Sequence, residues 1–114
     1  MAAEARITGT KSSPFFVLLM FDQVDTSRQA TCIESSRSPW QRVTEYNRNT
    51  RKHRKAGEAD WRLVLWIGPF RSQDTAQLFQ QLWARAPRGL AARIERGVEL
   101  AREHNRECYS MYKR

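Results

Sequence analysis

The run Phe15 to Phe21, F-F-V-L-L-M-F, constrains the fold of this chain more than any other stretch. It is uniformly apolar and lacks the alternation of polar and apolar residues that marks a half-exposed strand. Its length and bulk predict a strand that is buried on both faces, at the centre of a small sheet. The run is far too short to cross a bilayer, and residues 1–13 lack a signal-peptide pattern. We therefore expect a nuclear or cytoplasmic protein that is not secreted and has no membrane partner.

The residues after this strand predict a hairpin, a helix and a third strand. The turn-forming segment 22–28 leads into a second strand, Gln29 to Glu34, which we expect to pair antiparallel with the first. Ser38 and Pro39 together predict a helix start, and the helix should run to about Asn47 with Trp40 and Val43 facing the core. The third strand is predicted over 61–68, ended by the Gly-Pro pair at 68–69.

Two further helices complete the predicted domain. Ser72 is expected to cap the first of them, which ends before Pro87. Its predicted apolar stripe comprises Ala76, Phe79, Leu82, Trp83 and Ala86. The last helix should run from about Arg88 to Cys108 and bury Leu90, Ile94, Val98 and Ala101. The order β-β-α-β-α-α predicts an α+β domain with a three-stranded antiparallel sheet flanked by helices, spanning 13–114 after a flexible arm at 1–12.

The charge pattern favours a polyanionic partner. The formal net charge is +8, and arginine outnumbers lysine sixteen to four. The segment 48–60 has no apolar residue larger than alanine, so we predict an exposed loop. Its basic residues, together with Arg42, are the candidate nucleic-acid contacts: Arg42, Arg48, Arg51, Lys52, Arg54 and Lys55. A nuclear import signal and a simple solvated loop are the alternatives for the basic run at 51–55.

The cysteines and histidines indicate neither a disulfide framework nor a metal site. Cys32 and Cys108 are far apart in sequence, and free thiols are favoured over a disulfide between them. His53 and His104 do not form the paired spacings that zinc sites use with these cysteines.

Several motifs in order resemble the GIY-YIG nuclease domain, most closely the type in eukaryotic structure-specific endonucleases and large DNA viruses. The segment 41–47, Q-R-V-T-E-Y-N, falls on the family's R-R-V-x-x-H-N helix, and 79–83, F-Q-Q-L-W, falls on its F-E-x-x-W helix. Between them, the family's W-x-x-V-x-x-V-x-G-F-x-S pattern is matched at Trp61, Val64, Ile67, Phe70 and Ser72. The match runs from Phe15 to about Trp83.

The resemblance implies a divalent-metal phosphodiesterase ancestry, since the family uses two tyrosines, an arginine on the phosphate and a metal-binding glutamate. Only the arginine is retained, as Arg42. The other positions of the family site are replaced: the tyrosines by Leu18 and Cys32, the motif glycine by Glu34, the histidine by Tyr46 and the metal glutamate by Gln80. A neutral amide is a poor ligand for a hard cation such as Mg²⁺, and neither Leu nor Cys can polarise water as a phenol does.

These replacements predict a catalytically inactive domain that binds DNA through Arg42 and the basic segment, with no cofactor. One alternative is a protein-interaction module on the same scaffold, viral or host regulatory, using the row of glutamates on the last helix that includes Glu99 and Glu103. The other is a residual endonuclease that uses Tyr46, Glu34 and Arg42 in a rebuilt site and requires Mg²⁺.

Overall fold

A computed structural model describes residues 14–24, 30–53 and 60–111. Its strands and helices, in chain order, are β1 (Phe15–Asp22), β2 (Thr31–Ser36), α1 (Pro39–His53), β3 (Trp61–Phe70), α2 (Gln73–Ala84), α3 (Leu90–Glu103) and β4 (Glu107–Ser110). The four strands form one antiparallel sheet in the order β2-β1-β3-β4. The α+β class and the antiparallel sheet are therefore as predicted. The predicted flexible arm, 1–12, lies outside the described residues.

The strand β1 is the centre of the fold, as its apolar sequence predicts. It pairs with β2 on one side and β3 on the other, and residues 17–20 are completely buried. Because side chains alternate across a strand, Val17 and Leu19 pack with α2 and α3, while Leu18 and Met20 pack with α1. The sheet thus lies between α1 on one face and the α2–α3 pair on the other.

Two predicted helix starts are confirmed. The helix α1 begins at Pro39, where the Ser38 carbonyl accepts the N–H of Arg42 at 2.9 Å. The helix α2 is capped by Ser72, whose hydroxyl accepts the Thr75 N–H at 3.2 Å. At α2 the Ser72 hydroxyl satisfies a free helical N–H group, whereas at α1 the bond to the Ser38 carbonyl is the first intrahelical one and Pro39 has no N–H to satisfy. Both starts therefore have a local cause.

The predicted strand count was wrong, because the sheet has four strands. The last helix ends at Glu103 instead of Cys108, and a turn at Asn105, with φ of 54°, leads into β4. All four residues of β4 are exposed, and they pair with residues 65–68 of β3. A short strand with no buried residue has no hydrophobic pattern, so its pairing with β3 is a tertiary effect that the sequence does not show.

The boundaries of α1 and β3 also differ from the prediction. The helix α1 continues past Asn47 to His53, so the first part of the predicted basic loop is helical. Arginine and lysine are good helix formers, and an exposed helical end needs no apolar periodicity. The strand β3 continues through the cis Gly68–Pro69 bond to Phe70, which pairs with Phe15. Arg54 and Lys55 lie outside the described residues, as do the side chains of Arg51 and Lys52.

The predicted buried faces need two corrections. On α3 the buried residues are Arg93, Gly97, Leu100 and Ala101, with Leu90 and Ile94 partly buried, whereas Val98 is exposed. A Cβ on Gly97 would lie 2.5 Å from Cζ2 of Trp83, so the close packing of Trp83 on α3 selects a helix face that includes this glycine. On α1, Val43 is buried as predicted, but Trp40 is 55% exposed.

Candidate nucleic-acid interface

Four of the positions that the GIY-YIG resemblance identifies as replacements lie together on the α1 side of the sheet. The hydroxyl of Tyr46 hydrogen-bonds the Cys32 thiol, and that thiol donates to Oε2 of Glu34 at 3.5 Å. The other carboxylate oxygen, Oε1, accepts from Nη2 of Arg42 at 2.8 Å and from its Nε at 3.2 Å. Leu18 is buried beside them, directly across the strand pair from Glu34. The strands and α1 thus place Tyr46, Cys32, Glu34 and Arg42 in one hydrogen-bonded chain.

Arg42 is ion-paired with two acidic side chains, Glu34 and Glu45. Besides Glu34, its Nη1 lies 3.7 Å from Oε1 of Glu45, and its guanidinium lies 5.8 Å from the Tyr46 ring centre. The Arg42 side chain remains 30% exposed, so it is accessible from solvent at one side. A phosphate that binds Arg42 must compete with the carboxylate of Glu34, which occupies two of its N–H groups.

Tyr46 and Cys32, which lie away from Arg42 in this hydrogen-bonded chain, are both protonated at neutral pH. Burial, followed by the neighbouring Cys32, raises the pKa of Tyr46 from 10.0 to about 12. Burial also raises the pKa of the Cys32 thiol. At neutral pH the phenol and the thiol are therefore uncharged, and neither is suited to accept a proton from water or to attack a phosphorus atom.

The raised pKa of Tyr46 predicts a loss of stability at high pH. Between pH 10.0 and about 12 the unfolded chain releases the Tyr46 proton while the folded chain retains it, so the free energy of unfolding falls as the pH rises. Below this range the effect is absent. A phenolate absorbance titration of the wild type should show an ionisation phase at about pH 12 that Tyr46→Phe removes. Identical titration curves for the wild type and Tyr46→Phe in that range would contradict the arrangement.

Gln80 does not join these residues. It lies on α2, the helix on the other side of the sheet, and its Nε2 donates to the Ile33 carbonyl at 2.9 Å. The amide therefore ties α2 to β2. In the part of the chain that the structure describes, no group of three or more His, Cys, Asp or Glu side chains could hold a metal ion.

Three aromatic residues form a surface that the sequence did not predict. We call Trp40, Trp66 and Tyr109 the aromatic ledge. The ring centres of Trp40 and Trp66 are 6.0 Å apart, edge to face, and those of Trp66 and Tyr109 are 5.8 Å apart and nearly parallel. Trp40 and Tyr109 are both exposed. The ledge forms because β4 places Tyr109 beside Trp66. Since the sequence did not predict β4, it did not predict the ledge.

A cleft adjoins the aromatic ledge, and cationic side chains follow Trp40 along α1. These are Arg42 and the exposed Arg48, whereas Arg37 lies over the Phe15 ring at 4.6 Å, and Phe15 packs with the α2–α3 core. A cleft of about 220 Å³ lies between α1 and the start of β3, and Trp40, Asn47, Trp61 and Arg62 are among its lining residues. Trp40 therefore borders both the ledge and the cleft.

Asn47 fixes the position of α1 against β3 beside this cleft. Its Nδ2 donates to the Trp61 carbonyl at 2.9 Å, and its Oδ1 accepts the Trp61 N–H at 2.8 Å. The Tyr46 ring also packs edge-on against Trp61, with 5.2 Å between centres. The asparagine of the matched motif thus has a positioning role that its place in the sequence alone did not reveal.

The sequence also predicted free thiols at both cysteines and offered the acidic row of the last helix as a possible protein-binding surface. Cys32 and Cys108 are both free, the first partly buried and the second exposed on β4. On α3, Nη1 of Arg96 lies 3.0 Å from Glu99 and 3.5 Å from Glu103. The acids proposed as a protein-binding row are therefore partly neutralised within their own helix. Among the described helices, none is long and apolar enough to cross a membrane.

No family model, curated protein or solved structure matches this chain. The GIY-YIG resemblance and its implied ancestry therefore stay predictions from the motifs alone.

Proposed function

We propose that this chain is a non-catalytic domain that binds single-stranded or unpaired nucleic acid. Bases stack on the aromatic ledge, and phosphates contact Arg48, the basic residues that follow it in the sequence and, in competition with Glu34, Arg42. The observation that carries the proposal is the exposure of Trp40, at 55%, within a row of three aromatic rings. Base stacking on such rings contributes about 1–3 kcal/mol per base and tolerates any sequence.

The proposed absence of catalysis is supported by the hydrogen-bonded chain of Tyr46, Cys32, Glu34 and Arg42. Tyr46 and Cys32 are protonated at neutral pH, and Arg42 is held by Glu34. Hydrolysis of a phosphodiester needs an activated water and a counter-charge for the phosphate oxygens. With Tyr46 and Cys32 protonated and Arg42 ion-paired, these residues supply neither an activated water nor a free counter-charge. This arrangement favours binding over cleavage.

The proposal is tested by binding of the purified chain to a labelled single strand and to a blunt duplex of the same sequence. We expect tighter binding to the single strand, affinity that falls linearly on a log–log plot against salt, and intact strands on a denaturing gel with Mg²⁺ present. Heparin is the control for charge alone. If heparin competes as well as the single strand at matched charge, base stacking does not contribute to binding. If the strands are cleaved, the domain is catalytic and the proposal is wrong on that point.

Replacing Glu34 with glutamine is expected to strengthen nucleic-acid binding. The substitution removes the carboxylate that occupies Arg42 at 2.8 Å and leaves a neutral amide of nearly the same shape. The freed guanidinium can then pair with a phosphate, so affinity should rise about three- to tenfold, and the salt dependence should steepen by roughly 0.7 in slope. Binding isotherms at several salt concentrations measure both effects.

Glu45→Gln is the matched control for that substitution. Glu45 lies farther from Arg42, at 3.7 Å, and contacts a different guanidinium nitrogen. Its replacement should change affinity less than that of Glu34. Unchanged affinity and unchanged salt slope in Glu34→Gln would show that Arg42 does not reach the bound strand.

A further inference from the structure

The buried arginine Arg93 lacks a negatively charged partner. Arg93 is 7% exposed on α3, and within the described ranges no carboxylate lies within ion-pairing distance of it. Its Nη1 donates to Oγ1 of Thr31 at 3.1 Å, and its buried Nε has no hydrogen-bond partner. Buried charges in proteins are normally paired, so a buried guanidinium with an unpaired Nε and one hydroxyl contact has N–H donors that suit an anion.

The start of α3 lies beside this arginine. Side chains of a helix lean toward its N-terminus, and Nη1 of Arg93 reaches Thr31, whose hydroxyl donates to the Arg88 carbonyl at 2.7 Å. Arg88 immediately precedes Gly89, the N-cap of α3. Gly89 offers no side-chain acceptor, and the first turn contains no acidic residue. The first N–H groups of a helix lack intrahelical partners and carry partial positive charge, so this helix end favours an anion.

A second guanidinium adds to the same positive field. Burial, and next the charge of Arg88, lowers the pKa of Arg93. Arg88 itself is exposed, so it can move toward a ligand without disturbing the core. Two neighbouring guanidinium groups beside a helix N-terminus suit a tetrahedral oxyanion with several acceptor oxygens.

We propose that the N-terminus of α3 is a binding site for a phosphate dianion, held by Arg93, Arg88 and the first N–H groups of the helix. Phosphate supplies both the charge that Arg93 lacks and enough oxygens for two guanidinium groups. The source is inorganic phosphate or the terminal phosphate monoester of a larger molecule, which share this chemistry. The site lies on the α2–α3 side of the sheet, away from the aromatic ledge, and does not depend on the proposed function.

The test measures thermal unfolding of the whole chain in sodium phosphate and in sodium chloride of equal ionic strength. We expect a saturable rise in Tm with phosphate only, because a ligand that binds the folded state stabilises it by mass action. Arg88→Ala should weaken phosphate binding about tenfold without changing Tm in chloride. The matched control is Arg85→Ala, an exposed arginine at the end of α2, which should leave the response unchanged.

Arg93→Met is the second variant, and it removes the buried charge while retaining much of the side-chain volume. If it folds, its Tm should no longer respond to phosphate; if it does not fold, Arg88→Ala and Arg85→Ala still decide the question. A rise in Tm that chloride reproduces, or that Arg88→Ala leaves intact, would overturn the proposal.

Competition with short oligonucleotides distinguishes the two sources. A strand with a 5′-phosphate that displaces inorganic phosphate better than the same strand with a 5′-hydroxyl identifies a nucleic-acid end as the ligand. Equal, weak displacement by both strands identifies free phosphate. Because the readout is phosphate-dependent Tm, this site can fail while the aromatic ledge still binds single strands, and the reverse also holds.

Discussion

Replacing Trp83 with alanine is expected to lower the free energy of unfolding by about 3–5 kcal/mol. Trp83 is completely buried, and its ring lies against Gly97 so closely that a Cβ there would be 2.5 Å away. Its Nε1 donates to the Arg93 carbonyl at 2.8 Å, so truncation leaves both a large cavity and a carbonyl that has lost this hydrogen bond. Urea unfolding followed by far-UV circular dichroism measures the loss without depending on tryptophan fluorescence.

Trp40→Ala is the matched control for this experiment. Trp40 is 55% exposed, so its truncation should cost less than about 1 kcal/mol. Trp83→Phe should fall between the two, because it preserves most of the apolar contact and removes the hydrogen bond. Equal losses of stability in Trp83→Ala and Trp40→Ala would contradict the placement of the core between the sheet and the α2–α3 pair.

Asp22→Ala is expected to cost about 2–4 kcal/mol. Asp22 is 3% exposed at the end of β1, and its Oδ1 accepts both the Val24 N–H and the Asp60 N–H at 3.0 Å. The carboxylate therefore joins the segment after β1 to the residue that precedes β3. Its removal leaves two backbone donors without their acceptor. Equilibrium unfolding in urea again provides the measurement.

Two substitutions separate this role of Asp22 from a general effect of removing negative charge. Asp22→Asn keeps an oxygen at the same place and should cost about 1 kcal/mol, less than the alanine variant. Asp74→Ala removes an exposed acid from the first turn of α2 and should cost about 0.5 kcal/mol through the helix dipole. A smaller loss in Asp22→Ala than in Asp74→Ala would show that the buried contact does not stabilise the fold.

The sequence predicted those parts of the fold whose cause is local. A seven-residue apolar run has only one stable environment in a chain of this size, so β1 was placed correctly at the sheet centre. Pro39 and Ser72 mark helix starts through backbone geometry and capping, which act over a few residues. The end of α1 and the strand β4 have no such local cause, because their residues are exposed and are ordered by what they contact.

The site was predictable only in part for the same reason. The matched motifs brought Cys32, Glu34, Arg42 and Tyr46 together, since strand and helix register fixes their spacing. They placed Gln80 at the same site, but its side chain binds a strand carbonyl from the other helix layer. The exposure of Trp40 was missed because apolar periodicity cannot distinguish a core tryptophan from one that packs on the rim of a sheet.

The most direct test of the proposed function is the affinity of wild type and Trp40→Ala for one labelled single strand, measured over a salt series. We expect about a fivefold to 150-fold loss of affinity in Trp40→Ala at every salt concentration with an unchanged salt slope, because the substitution removes a stacking surface and leaves the phosphate contacts in place. Leu78→Ala, which truncates an exposed apolar residue on α2, is the control and should bind as wild type does. Wild-type affinity in Trp40→Ala would contradict base stacking on the aromatic ledge.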